Sequence, residues 1–156
     1  MREHRNGLIY NISCIGALLS LPLSAYYAAT KAAVISISEC LAAEVEEYNI
    51  KVVPVEPGPF QTNFFQPTNL LPPQHELPAY DGVRERRNKS AIGNQQKKDG
   101  DPERAAKVFI EISKLDDVPK MLFIGKLARQ LAEPKIQLLA NECEKWKEYT
   151  DRCSFE

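Results

Sequence analysis

The sequence predicts an α/β fold: a doubly wound parallel sheet, present here in part. Three observations predict it. Gly7-Leu8-Ile9-Tyr10-Asn11-Ile12-Ser13, Ile50-Lys51-Val52-Val53-Pro54-Val55 and Met121-Leu122-Phe123-Ile124 are short apolar runs rich in β-formers. Such near-continuous runs are the mark of strands covered on both faces. Between the first two, residues 25–48 are helical by composition, and strand–helix–strand in that order is a βαβ unit. The length, 156 residues, suits one domain with a modest core.

Taken in order, the charged start Met1 to Asn6 has no apolar signal core behind it and resembles the polar tail of a helix. The first strand ends at Ser13-Cys14 and gives way to a loop containing Gly16 and Pro22. In the helix that follows, Ala28, Ala29, Ala32 and Ala33 are small enough for close packing on a sheet, and Glu44, Glu46 and Glu47 form a polar end. After Pro57-Gly58-Pro59 the pattern dissolves. Residues 63–100 carry Pro67, Pro72, Pro73 and Pro78 among many polar side chains, and a loop that long suits a lid or a substrate loop. Its Phe64, Phe65, Leu70, Leu71 and Tyr80 are candidates either for an apolar pocket lining or for lid anchors. Asp101-Pro102-Glu103 then opens a helix: N-cap, proline at the first helical position, acid in the first turn. It is expected to run to about Lys114 with Val108, Phe109 and Ile112 facing inward. Beyond Gly125, within the C-terminal helical region 126–156, two helical stretches are expected, at 127–131 and 135–149.

Composition narrows the function. Apolar residues are 44% and charged residues 26%, with a net charge of −1. No overall field draws the chain to nucleic acid or an anionic membrane. The basic run Arg84 to Lys89 reads as a solvated face. Cys14, Cys40, Cys143 and Cys153 show no paired spacing, and neither His4 nor His75 stands at a zinc-ligand interval, so no metal site is expected. A reducing, cytoplasmic setting follows as the expectation. No run approaches the ~20 apolar residues of a membrane span.

Tyr27 and Lys31 carry the chemistry. At i and i+4 they share one helix face. A free phenol, with a pKa near ~10, is a poor acid or base at neutral pH. A nearby ammonium favours the phenolate and is expected to pull that value down, making a proton donor and acceptor for a substrate oxygen. Tyr26 stands five residues from Lys31 and is the poorer candidate.

With an apolar strand ending Asn11-Ile12-Ser13-Cys14 before the pair, and Pro57-Gly58-Pro59-Phe60-Gln61-Thr62 after the next strand, the chain resembles the short-chain dehydrogenase/reductase family. The resemblance implies a Rossmann-like fold and hydride transfer between NADP(H) or NAD(H), NADP slightly favoured, and a small-molecule carbonyl/alcohol pair. It implies Tyr27 as general acid/base and Lys31 as the group that tunes it and binds the nicotinamide ribose. Pro57 and Gly58 would approach the nicotinamide face, and Phe60 and Thr62 would complete the cofactor contacts. A homo-oligomer, or pairing with a full-length relative, would use the helix that bears Tyr27.

Two departures stand out. The family's substrate-polarising serine lies 13 positions before the tyrosine, and 27 − 13 = 14 is Cys14 here. A thiol is the weaker hydrogen-bond donor. Ser13 is adjacent, but neighbouring side chains on a strand point to opposite faces. Second, the seven glycines, at 7, 16, 58, 82, 93, 100 and 125, form no phosphate-binding loop. The single domain 1–156 is therefore expected to be an incomplete one, inactive by itself as an oxidoreductase. The alternative is a non-catalytic remnant that pairs with an intact relative.

Overall fold

In the computed structural model, residues 1–66, 74–89 and 100–155 are described. Strand β1 (Gly7–Ile12) leads through a short helix α1 (Ile15–Leu19) to the long helix α2 (Ala25–Val45), and a 3₁₀ turn then feeds β2 (Ile50–Pro57). Helices α3 (Asp81–Lys89) and α4 (Pro102–Ile112), strand β3 (Leu122–Ile124) and helix α5 (Lys126–Asp151) complete the order.

The sheet has strand order β1-β2-β3 and is parallel throughout. Gly7 is in register with Ile50 and Ile12 with Val55; Val55 also faces Leu122, and Pro57 faces Ile124. β2, the central strand, is the most buried: Val53 and Val55 have no exposed surface. Each such valine contributes about 1.5–3 kcal/mol of transfer free energy. On one face Val53, Val55 and Ile124 pack with Tyr10, Ala105 and Phe109. The Tyr10 hydroxyl donates to the Phe109 carbonyl at 3.2 Å, tying β1 to α4. In a second cluster α1 meets α5, with Ile15, Ala128 and Ala132 buried. α2 is fixed to β1 by a polar stitch: the Asn11 amide donates to Ser38 Oγ at 3.0 Å, and Ser38 donates to the Val34 carbonyl.

The strands and α2 stand where the sequence places them. The Asp101 carboxylate accepts from the Glu103 and Arg104 amides, as its N-cap position predicts. Four expectations change. The segment after Cys14 is helix α1, because Cys14 Sγ caps it by accepting from the Gly16 amide. Val108 is 36% exposed; α4 turns Ala105, Phe109 and Ile112 inward instead. The 63–100 stretch contains a helix, α3, so the basic run Arg84 to Lys89 lies on helix, with Arg84 paired to Asp81 one turn earlier. Beyond Gly125 there is one helix, not two. It passes through Pro134, which is itself exposed and removes one amide from the helix's hydrogen-bond ladder. Leu70 and Leu71 lie outside the described residues. No helix among the described residues is long and apolar enough to cross a membrane.

Candidate active site

The strand ends and the first turns of α2 converge on one place. Ser13, just past β1, is 3% exposed. Its amide donates to Val55 O, and its hydroxyl donates to the Lys31 carbonyl at 2.7 Å. That hydroxyl therefore ties β1 to α2, and the adjacent Cys14 is the side chain that stands beside Tyr27. From α2, Lys31 Nζ donates to the Ile12 carbonyl at 3.1 Å and lies 6.0 Å from the centre of the Tyr27 ring. At the end of β2, the Gly58 amide donates to Ile124 O at 3.0 Å. Phe60 forms a parallel bridge with Gly100. The Thr62 hydroxyl accepts from the Phe64 amide at 3.3 Å and caps the 3₁₀ turn Asn63–Phe65. That turn sets the Phe64 ring 5.9 Å from the Tyr27 ring, tilted by 48°.

Ser13, Cys14, Tyr27, Lys31, Pro57, Gly58, Phe60 and Thr62, chosen from three separate stretches of sequence, all line one cavity of about 590 Å³. That volume lies in the range of small-molecule and cofactor sites. The rest of the wall is apolar: Ile12, Phe64, Phe109 and Ile124 among others. Tyr80, proposed as a pocket residue, is 51% exposed on a separate 3₁₀ turn and is not part of this wall. Among the described residues no group of three or more potential ligands could hold a metal ion.

The electrostatics depart from expectation at Tyr27. Its pKa is raised, not lowered: burial acts first, and the Cys14 thiol adds in the same direction. Lys31 does not reverse this, because its ammonium is engaged by the Ile12 carbonyl and faces the ring 6.0 Å from its centre. As the chain stands, Tyr27 holds its proton. Gly58 also gains a second reason for being glycine. A Cβ there would sit 3.1 Å from the Ala128 amide nitrogen and 3.3 Å from its Cβ, so the start of α5 demands the bare backbone.

Sequence reasoning missed Ile12, Phe109 and Ile124 as lining residues and gave no role to Glu56. The first three were legible as strand-end or inward-facing positions, but which cavity they edge depends on pairing register. Glu56, on β2 beside the Pro57-Gly58 turn, is 1% exposed, and neither carboxylate oxygen has a hydrogen-bond partner. Burial, then the Glu39 carboxylate, raises its pKa to about 7. Nothing in the alternation of β2 marks that position as sealed, since every residue of the strand but Lys51 and Pro57 is buried.

A parallel sheet whose strand ends deliver a tyrosine–lysine pair to an apolar cavity defines a class: part of an α/β nucleotide-cofactor domain. The profile of the short chain dehydrogenase family matches residues 1–71. The oxidoreductase calM of Penicillium decumbens is 30% identical over 147 residues, covering 92% of this chain and 48% of the relative. Among solved structures, a short-chain dehydrogenase from Streptomyces avermitilis superposes with a TM-score of 0.82 at 31% identity, over 99% of this chain and 55% of that one. A 3-oxoacyl-[acyl-carrier protein] reductase from Brucella melitensis with bound NAD (TM-score 0.51, 26% identity, 80% and 41% covered) and ElxO with NADP bound (0.55, 26%, 80% and 47%) share the fold. The chain belongs to the short-chain dehydrogenase/reductase family, whose solved members bind NAD or NADP, and it spans about half the length of the relatives it matches end to end.

Proposed function

We propose that this chain carries the proton-transfer half of an NAD(P)-dependent oxidoreductase acting on a carbonyl/alcohol pair. The observation that supports it most is the meeting of Tyr27, Lys31, Cys14 and the Pro57-to-Thr62 turn around one cavity. A nicotinamide, when bound, supplies or takes the hydride. The residues present fit its reactive end: Lys31 offers a cation for a ribose hydroxyl, Thr62 a polar edge, and Pro57 and Gly58 a bare backbone floor. Tyr27 then exchanges the proton. Its raised pKa makes the phenol a weaker acid than free tyrosine, so a bound cofactor and the Lys31 cation would have to draw that value down for the proton to pass. Cys14 stands where a polarising hydroxyl would be stronger. The apolar wall of Ile12, Phe64 and Phe109 favours a carbonyl compound with an apolar body.

A second reading, a non-catalytic chain that pairs with an intact relative through α2, is favoured by one observation: α2 leaves Tyr26 93% and Ile37 63% exposed. Cofactor titration separates the two. Fluorescence-detected NADPH and NADH binding is run on this chain and on a full-length protein containing it, followed by turnover with apolar ketones. The enzyme reading expects binding and reduction in the full-length protein, with NADPH the better donor. It expects Tyr27→Phe to remove turnover while cofactor binding is kept. Turnover that survives Tyr27→Phe refutes the assignment.

A further inference from the structure

Lys31 is held at both of its ends by the end of β1. The Ser13 hydroxyl donates to its carbonyl at 2.7 Å, and its ammonium donates to the Ile12 carbonyl at 3.1 Å. The next residue along, Cys14, stands beside Tyr27. Three consecutive residues at one strand end thus address the two residues of α2 that carry the chemistry. That half of α2 lacks a cap of its own. Ser24, its N-cap, makes no side-chain cap hydrogen bond, no acid lies in the first turn, and Tyr26 is 93% exposed. The stitch from Asn11 to Ser38 lies about two turns beyond Lys31.

The Lys31 carbonyl does not need the Ser13 hydroxyl. It lies well inside the 21-residue α2, where the amide four residues on closes the regular helical bond, and a carbonyl's second lone pair can take another donor. The hydroxyl, by contrast, belongs to a residue only 3% exposed, which is pinned to the central strand by the hydrogen bond from its own amide to Val55 O at 2.7 Å. A hydrogen in place of that hydroxyl leaves no orphaned polar atom on either side and costs little stability. What it removes is placement. We infer that Ser13 is a positioning residue: its hydroxyl holds the second turn of α2 at one depth against the strand end and so fixes where the Lys31 ammonium can reach in the cavity. It is not the group that meets a substrate oxygen, because its proton is committed to Lys31 O. The clasp rests on contacts within this chain. Only its effect on a nicotinamide rests on the reading above, in which Lys31 meets a ribose hydroxyl.

Competitive acetylation of the intact chain with trace acetic anhydride, read by mass spectrometry, is the test, with the exposed Lys147 as internal reference. In the wild type Lys31 should be labelled more slowly than Lys147. Ser13→Ala should raise the ratio of Lys31 to Lys147 labelling at least about three-fold, with far-ultraviolet circular dichroism unchanged and the urea midpoint nearly so. Ser13→Thr, which keeps the hydroxyl, should restore the wild-type ratio. A ratio that Ser13→Ala leaves unmoved overturns the proposal. So does a large fall in the urea midpoint without a change in the ratio, which would make the serine a packing residue only. In a full-length protein containing this chain, Ser13→Ala should weaken NADPH binding at least about five-fold. A moved ratio with unchanged NADPH affinity leaves the clasp in place and refutes Lys31 as a cofactor ligand.

Discussion

Glu56→Gln is the perturbation that asks most of the structure. The carboxyl is sealed under the sheet's helical cover with both oxygens unpartnered, and its pKa rises from 4.5 to about 7. A carboxyl raised in the folded state stays neutral there while the unfolded chain already ionises. Its contribution is therefore fully present below pH 4.5, is lost as pH rises through the window up to about 7, and stays lost above it. The size follows from the difference, 7 − 4.5 = 2.5, which at 1.36 kcal/mol per pH unit is on the order of 3 kcal/mol. Solvent does not screen this much, because the residue is 1% exposed and desolvation is the leading cause. The smaller part from Glu39, an exposed residue, weakens in salt. Urea unfolding of both proteins across that window is the assay. Wild type should lose about 3 kcal/mol on passing from below pH 5 to above pH 7, relative to a Glu56→Gln protein in which that loss is absent. The variant should be the more stable of the two at high pH. Parallel pH profiles would show that Glu56 reaches a partner or water, and the reasoning from its burial would fail.

Other outcomes follow from single contacts. In a full-length enzyme containing this segment, Cys14→Ser should raise kcat about ten-fold or more by restoring a stronger donor; an unchanged kcat would remove the position from the reaction. Gly58→Ala should destabilise the chain by about 1–3 kcal/mol in thermal or urea unfolding, because the added methyl meets α5 backbone. Full stability in that variant would mean that α5 yields without penalty. Asp101→Ala removes the cap of α4 and should cost about 1 kcal/mol, with Asp101→Asn recovering most of it.

Much of the frame was legible because its signals are local. Ile50 to Val55 is apolar but for Lys51, and Asp101-Pro102-Glu103 states a helix start in three residues. The i,i+4 spacing of Tyr27 and Lys31 needs only a helix to put them on one face. What escaped was decided at a distance. α1 is too short to show a period, and it exists because a thiol caps it. Pro134 signals a break, yet an exposed helix tolerates the lost hydrogen bond. The direction of the Tyr27 shift could not be read from its lysine, since it depends on how deeply α2 seats the ring and on what the end of β1 brings beside it. Gly58 looked like a cofactor position and is also a packing position, a distinction visible only once α5 is placed over it.

The bridge between Phe60 and Gly100 has a consequence for how such a chain can change. The Gln61 amide donates to Gly100 O and the Gly100 amide to Pro59 O, at 2.8 and 3.1 Å, so the excursion between them departs and returns through one clasp. Phe60 locks it sterically, since a Cβ on Gly100 would fall 2.5 Å from the ring. With the ends held together, the entropy of closing whatever lies between varies only slowly with its length. Residues of the excursion beyond Phe64 can be replaced, lengthened or deleted while β2 and α4 keep their places. The clasp makes what lies between its ends an exchangeable cassette, which can vary without refolding the frame that holds Tyr27.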